Sequence, residues 1–238
     1  MTDNISGLTD TYAVNFGTRS FSDAFEPTTL KEGWSWIREN KADWSLSESP
    51  KYLTVTAKTG DIRGTANNAE NILLQSANTD WSITSRMEFS KRPLKADQQG
   101  GIIAYQDDDN YVKLVYVNSI KGFLGGDEYI ELLIERQGEQ YSAANIKTTG
   151  LVPDDLAMVL KLEKKGSKYT AYYATGGKDF VLLGSTDAIL SDIKVGLIAC
   201  DGAKNPNGGL FAQLPAASGA DKPFKVKFDY FDITNTGN

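Results

Sequence analysis

Histidine is absent from this chain of 238 residues, and cysteine occurs once. Without imidazole there can be no Ser-His-Asp or Cys-His hydrolysis, and no imidazole acid, base or metal ligand. A zinc centre would lack its usual nitrogen and sulfur donors. The lone Cys200 excludes an intrachain disulfide. Within Val195-Gly196-Leu197-Ile198-Ala199-Cys200 it is expected to be a buried, inert thiol. No apolar run approaches the length a membrane-crossing helix needs. Surplus basic charge is missing too: the net charge of −6 argues against nucleic acid or an anionic membrane as a partner. Neutral, hydroxyl-rich ligands stay allowed. Met1-Thr2-Asp3-Asn4-Ile5-Ser6 has neither the basic start nor the apolar centre of a signal peptide. The expectation is a cytoplasmic chain or a module excised from a longer secreted one. Chemistry is left to carboxylates, lysines, tyrosines and oxygen-ligated metals.

What is present is period-two alternation, with no long helical stripe. Hydrophobic residues make up 40% of the chain and charged residues 24%, enough for a sizeable core without disulfide or metal staples. Runs rich in Val, Ile, Tyr and Phe predict strands over 34–38, 53–57, 71–75, 81–89, 101–106, 111–117, 129–135, 158–164, 169–174, 180–183, 194–200 and 224–233. Turn chemistry separates them. Asp107-Asp108-Asp109-Asn110 is read as a hairpin turn, as are Lys164-Lys165-Gly166-Ser167 and Thr175-Gly176-Gly177-Lys178. A dozen short strands without a shift in composition predict one all-β domain over 21–238, a two-sheet sandwich. Residues 1–20 are a first edge strand or a tail. The Gly-, Ala-, Asn- and Pro-rich segment 203–222 is a long loop of the kind that borders binding sites or is merely tolerated at a surface.

Parity along each strand separates a core face from an opposite face. Val112, Leu114 and Tyr116 are assigned to the core, leaving Tyr111, Lys113 and Val115 opposite. Ile130, Leu132 and Ile134 are likewise inward, and Glu131, Leu133 and Glu135 outward. Ile72 and Leu74 are set against Asn71, Leu73 and Gln75. In 34–38, Trp34, Trp36 and Arg38 share a side, opposite Ser35 and Ile37. An indole beside a guanidinium can stack on a sugar's C–H face and donate to its hydroxyls. Trp36 and Arg38 are therefore the leading ligand candidates, with Gln75, Tyr105, Lys113 and Glu131 as polar company, provided that they converge.

The order of several short words resembles a known family. Phe21-Ser22-Asp23-Ala24-Phe25, Trp34-Ser35-Trp36-Ile37-Arg38-Glu39-Asn40, Trp44-Ser45-Leu46, Leu53-Thr54-Val55 and Gly60-Asp61-Ile62 come first. Asn71-Ile72-Leu73-Leu74-Gln75, Gly101-Ile102-Ile103-Ala104-Tyr105-Gln106 and Asp107-Asp108-Asp109-Asn110-Tyr111-Val112-Lys113-Leu114 follow. This order is similar to the concanavalin A-like modules at the C-terminus of family 43 glycoside hydrolases, and to related modules of other carbohydrate-active enzymes. The distinctive words lie in 21–114; the general likeness runs to about residue 233.

The resemblance implies a jelly-roll β-sandwich of two antiparallel sheets, with first and last strands paired and a concave face where an oligo- or polysaccharide lies. It implies an accessory role beside a catalytic domain of the same parent chain, and a structural calcium, for which Asp23 and Asp229 are the candidates. Glu131 and Glu135 resemble two-thirds of the Glu-x-Asp-x-Glu strand signature of jelly-roll glucanases, but Leu133 replaces the middle carboxylate. A glycosidase using Glu131 and Glu135 is thus the enzymatic alternative. A purely structural module covering a neighbouring catalytic pocket is the third.

Overall fold

A computed structural model describes residues 20–26, 28–77, 79–119, 127–202 and 222–235. The tail 1–19 and nearly all of the 203–222 loop lie outside the described residues. Among the described residues, fifteen strands run in chain order through β1 (Phe21–Asp23), β2 (Ser35–Ile37), β3 (Trp44–Ser45), β4 (Leu53–Thr56), β5 (Ile72–Ser76), β6 (Trp81–Phe89), β7 (Gln98–Asp107) and β8 (Asn110–Ser119). They continue with β9 (Asp127–Arg136), β10 (Glu139–Lys147), β11 (Ala157–Lys165), β12 (Lys168–Thr175), β13 (Val181–Asp187), β14 (Lys194–Asp201) and β15 (Lys225–Asn235).

Two antiparallel sheets form the sandwich. One has the order β13-β12-β11-β6-β15-β4-β3, with β1 also on β15; the other has the order β10-β9-β8-β7-β14-β5-β2. The first and last strands pair as expected, Phe21 opposite Ile233 and Asp23 opposite Phe231. Neighbours distant in sequence, such as β6 with β15 and β14 with β5, are the crossovers of a jelly roll.

β6 shows why alternation is sufficient to build the first sheet. Trp81, Ile83, Ser85, Met87 and Phe89 point into the core, while Ser82, Thr84, Arg86 and Glu88 are part-exposed. Between the sheets they meet Val112, Leu114 and Tyr116 of β8 and Ile130, Leu132 and Ile134 of β9, the inward phase read from the sequence. The second sheet differs. β7 and β8 are buried on both faces along eight consecutive residues each. Their outer face carries a second apolar cluster in which Ile72, Leu74, Ile103, Tyr111, Val115, Leu133 and Ile198 meet Ile62 and Ala69. Those last two belong to 58–71, an irregular strap laid across the sheet.

Two corrections to the predicted strands follow. β5 has the opposite phase: Leu73 faces the inter-sheet core, and Ile72 and Leu74 face the strap. β10 was not anticipated, because it is an edge strand with six of its nine residues exposed, the other three only half-buried, and no apolar stripe to read.

β14 lies so close to β5 that a Cβ on Gly196 would stand 1.8 Å from the Leu73 carbonyl oxygen. Gly196→Ala should therefore destabilise the domain by about 3 kcal/mol, the upper range for overpacking. A urea-denaturation series checks it; a cost below about 1 kcal/mol would show that β14 and β5 can part without penalty.

Candidate functional site

The outer face of the seven-stranded sheet gathers most of the residues singled out from the sequence, but not as an open groove. Lys113 and Glu135 are fully buried there, Glu131 is 2% exposed and Tyr105 8% exposed. The strap is the cover. Asp201 N donates to Lys58 O, and Gly60 N to Gly202 O, tying one end to the tip of β14. Gly64 N donates to Glu135 Oε1 at 3.0 Å, and Asn67 Nδ2 to Asp109 Oδ1 at 2.9 Å.

Arg38 closes the other end. Its φ of 51° puts it in the left-handed region directly after β2. The alternation that would have kept it beside Trp36 therefore breaks, and its side chain goes to the strap face. Nε donates to the Ala69 carbonyl at 2.6 Å, while Nη1 and Nη2 grip Asp108 at 2.7 and 2.8 Å. Tyr105 Oη donates to the same carboxylate at 2.9 Å. Burial works to raise the Asp108 pKa, but the bonds from Arg38 and Tyr105 outweigh it and hold the carboxyl below its ordinary range. Burial and Asp108 both push the Tyr105 phenol up. Arg38 and Asp108 keep 31% and 19% of their side-chain surface exposed, so the clamp sits at the strap's rim.

Trp36 does not join this group. It packs against the inter-sheet core, its ring 5.0 Å from that of Trp44. Gln75 is also elsewhere: it shares the inward phase of Leu73 and its Oε1 accepts from Ser76 N. The structure thus separates Trp36 and Gln75 from Arg38, Tyr105, Lys113 and Glu131, and no indole platform lies beside the guanidinium.

Asp23 and Asp229 do not converge. Asp23 is 1% exposed, and its two oxygens accept from Phe25 N at 3.0 Å and Trp34 Nε1 at 2.9 Å. Asp229 lies at the bulge in β15 and pairs with Arg86 on the outside of its sheet. Lying on opposite faces, with both Asp23 oxygens committed to Phe25 and Trp34, these two residues do not fit a shared calcium, which takes six to eight oxygens. Among the described residues no three acidic or thiol groups gather to hold a metal ion. Cys200 is buried under the strap, and burial raises its thiol pKa, as expected of an inert cysteine.

The site also uses residues the sequence did not flag. Asp61 Oδ1 accepts from Ile62 N at 2.7 Å and stands 3.7 Å from Lys113 Nζ. Asn71 joins Asn40 through a reciprocal pair of bonds. Lys113 Nζ also lies 5.0 Å from the Tyr111 ring centroid, and Tyr111 Oη donates to Glu135 Oε2 at 2.7 Å. At the end of the sandwich, away from the clamp, Arg92, Pro93, Leu94, Asn118, Glu128 and Gly150 line an open cleft of about 400 Å³. Its Arg92–Glu128 pair is joined at 2.8 Å, and Leu94 at its rim is 52% exposed.

Residues 22–234 match the family described as the beta xylosidase C-terminal concanavalin A-like domain. The chain belongs to that family. Among solved structures it is similar to the family 43 protein BlXynB of Bacillus licheniformis, at 20% identity and a TM-score of 0.69, over 90% of this chain and 39% of that one. It is similar to the xylan beta-1,4-xylosidase of Bacillus halodurans C-125 at 15% identity and a TM-score of 0.64, over 95% and 41%. Lectin I-B4 of Griffonia simplicifolia shares the fold at 10% identity and a TM-score of 0.58, over 92% and 100%. The chain therefore spans about two-fifths of the length of the family 43 chains it resembles. The search of curated proteins found no match.

Arg38→Ala releases both Asp108 and the Ala69 carbonyl, and should cost about 1 kcal/mol, modest because the pair is part-exposed. Because the folded Asp108 pKa is depressed, this stabilisation is fully present above the free-aspartate value of about 4 and is lost as pH falls through the lower folded value. Urea melts of the two proteins at pH 7 and at pH 2.5 check it. A gap that persists undiminished at the acid end would show that the clamp is not electrostatic.

Proposed function

We propose that this chain is a non-catalytic accessory domain of a family 43 glycoside hydrolase that works by docking against a catalytic domain. The observation that carries this reading is the strap. The face on which a sandwich of this kind would lay a glycan is occupied by the chain's own 58–71, and the donors of Arg38 are spent on Asp108 and Ala69. Sugar-holding by Trp36 and Arg38 together is not favoured, since the two residues emerge on opposite faces.

Glycosidic cleavage by Glu131 and Glu135 fares no better. Both glutamates are buried, and Glu135 is engaged by Tyr111 and by Gly64 of the strap. Paired carboxylates need a sugar ring between them and a water or nucleophile path. A docking role instead calls for an open surface at one end, and the cleft beside Leu94 offers one. The loop 90–97 runs from this cleft to the strap's tie: Asn118 Nδ2 donates to Pro93 O, and Ala96 O lies against Gly202. Interdomain contacts of this sort are ordinarily modest in area and part polar, as this cleft is.

The test compares this domain alone with the same domain joined to a family 43 catalytic domain. Leu94→Asp should leave the melting temperature of the domain alone unchanged, since the side chain is exposed. In the joined protein it should lower xylosidase activity several-fold and separate the melting of the two halves. Calorimetric titration of the isolated domain with xylo-oligosaccharides supplies the opposing outcome. Sub-millimolar binding that Arg38→Ala abolishes would replace docking with glycan-holding.

A further inference from the structure

Among the described residues six large apolar side chains stand exposed, and they are not scattered evenly. Leu94 lines the cleft, while Phe180, Val181 and Leu182 follow one another where β13 begins, at 44%, 49% and 60% exposed. Edge strands are ordinarily covered or interrupted by charge, so a bare apolar start to one is a surface awaiting contact.

Strand register places both groups at one end of the sandwich. Ala157 faces Glu88 beside the tip of β6, Met158 faces Thr175 at the tip of β12, and Tyr173 faces Val181. The tips of β6, β11, β12 and β13 thus form one row, in which β6 and β13 are three strands, or about 14 Å, apart. The loop 90–97 leaves this row and carries Arg92 and Leu94 to the cleft; the loop 148–156 returns to it with Gly150 in the cleft wall. Pro153 Cγ of that second loop stands 3.8 Å from where a Cβ on Gly176 would lie, and Gly176 opens the turn that leads to Phe180. Surface therefore runs from the cleft over Gly150 and Pro153 to Phe180. The Phe180 ring is itself seated, with Lys161 Nζ 5.6 Å from its centroid.

The ground between the two apolar points is acidic. Segments 149–156 and 175–182 hold Asp154, Asp155 and Asp179 against one basic residue, Lys178, and all four are exposed. Inside the cleft the charges are instead matched, Arg92 with Glu128 and Lys147 with Asp127. A second copy docking about a two-fold axis would bring this acidic lip against itself, which like charge opposes. A different partner with basic residues facing the lip meets no such repulsion.

Building on the docking reading above, we propose that the docking surface is the whole end of the sandwich, from the cleft to Phe180 and Val181. It receives a catalytic-domain surface that is apolar at two points and basic between them. Apolar anchors with charged groups around them are the usual anatomy of such contacts.

Calorimetric melting of the domain joined to a family 43 catalytic domain reads the contact. It is run at about 0.01 M and about 1 M salt, between which the screening length falls from about 30 Å to about 3 Å. Phe180→Ala should separate the melting of the two halves, as Leu94→Asp does. Asp154→Lys combined with Asp179→Lys should separate it at low salt and match the unaltered protein at high salt. Asp155 is left in place because its Oδ1 accepts from Ala157 N. If Leu94→Asp separates the halves and Phe180→Ala does not, the surface ends at the cleft; this proposal falls and the docking reading stands. If neither does, the docking reading falls and this proposal with it. A charge reversal that leaves the coupling unchanged or strengthens it at low salt overturns the basic partner. Sedimentation of the joined protein as a dimer that Phe180→Ala returns to monomers overturns the proposal in favour of a second copy. Should Phe180→Ala lower the melting of the domain itself, the charge reversal, confined to exposed carboxylates, decides alone.

Discussion

Burial of the seven-stranded sheet on both faces is the constraint from which the rest of this structure follows. Strands in the middle of a sandwich usually offer one face to water and so alternate in polarity. Here β7, β8 and β9 carry apolar residues on both sides, and the outer cluster around Ile103, Val115 and Leu133 would be an exposed patch if nothing lay on it. The strap removes that patch with Ile62 and Ala69. In doing so it also traps the polar residues interleaved with the apolar ones. Lys113, Glu131, Glu135 and Tyr111 alternate with nothing but other sheet residues, so covering their neighbours covers them.

Trapped polar groups must then be satisfied from within, and the local architecture reflects that demand. Asp61 sits where it can face Lys113, Glu135 receives a phenol and an amide, and Arg38 spends three donors at the rim. The left-handed backbone at Arg38 costs a bulky residue of the order of 1 kcal/mol. It is held because the bidentate grip on Asp108, assisted by Tyr105, over-determines it. Strain, clamp and cover are one arrangement, in which no member makes sense without the others.

How far the chain could be read in advance follows from the range of each interaction. β6 announces itself, since its inward Trp81, Ile83, Met87 and Phe89 alternate with polar residues. The phases of β8 and β9 are equally plain from Val112, Leu114 and Tyr116 and from Ile130, Leu132 and Ile134. β5 is not, because Ile72, Leu73 and Leu74 leave both faces apolar and alternation then has no phase. Trp36 and Arg38 look like neighbours on one side until a positive φ, invisible in composition, parts them. β10, exposed along most of its length, has no pattern to show. The strap is the least legible element. Gly64 meets Glu135 across 71 positions, and Arg38 meets Asp108 across 70. Periodicity within a window reports only on neighbours.

The same reasoning bears on what the fold can say about function. Lectin I-B4 and the family 43 chains share this sandwich at identities of 10–20%, a range in which the fold persists while the surface is rewritten. A sandwich face is a binding site only where its side chains are left with unspent hydrogen bonds and an open path. On this chain the sheet face has been spent internally, and each bond counted there is one unavailable to a hydroxyl from outside. An arginine with its donors committed to an aspartate and a carbonyl gains little by exchanging them for neutral hydroxyls of equal number, since charge-assisted bonds are the stronger. Recognition by this domain is therefore expected where main-chain and side-chain groups border an unfilled concavity, at the Arg92–Leu94 end, and the sheet face contributes rigidity behind it.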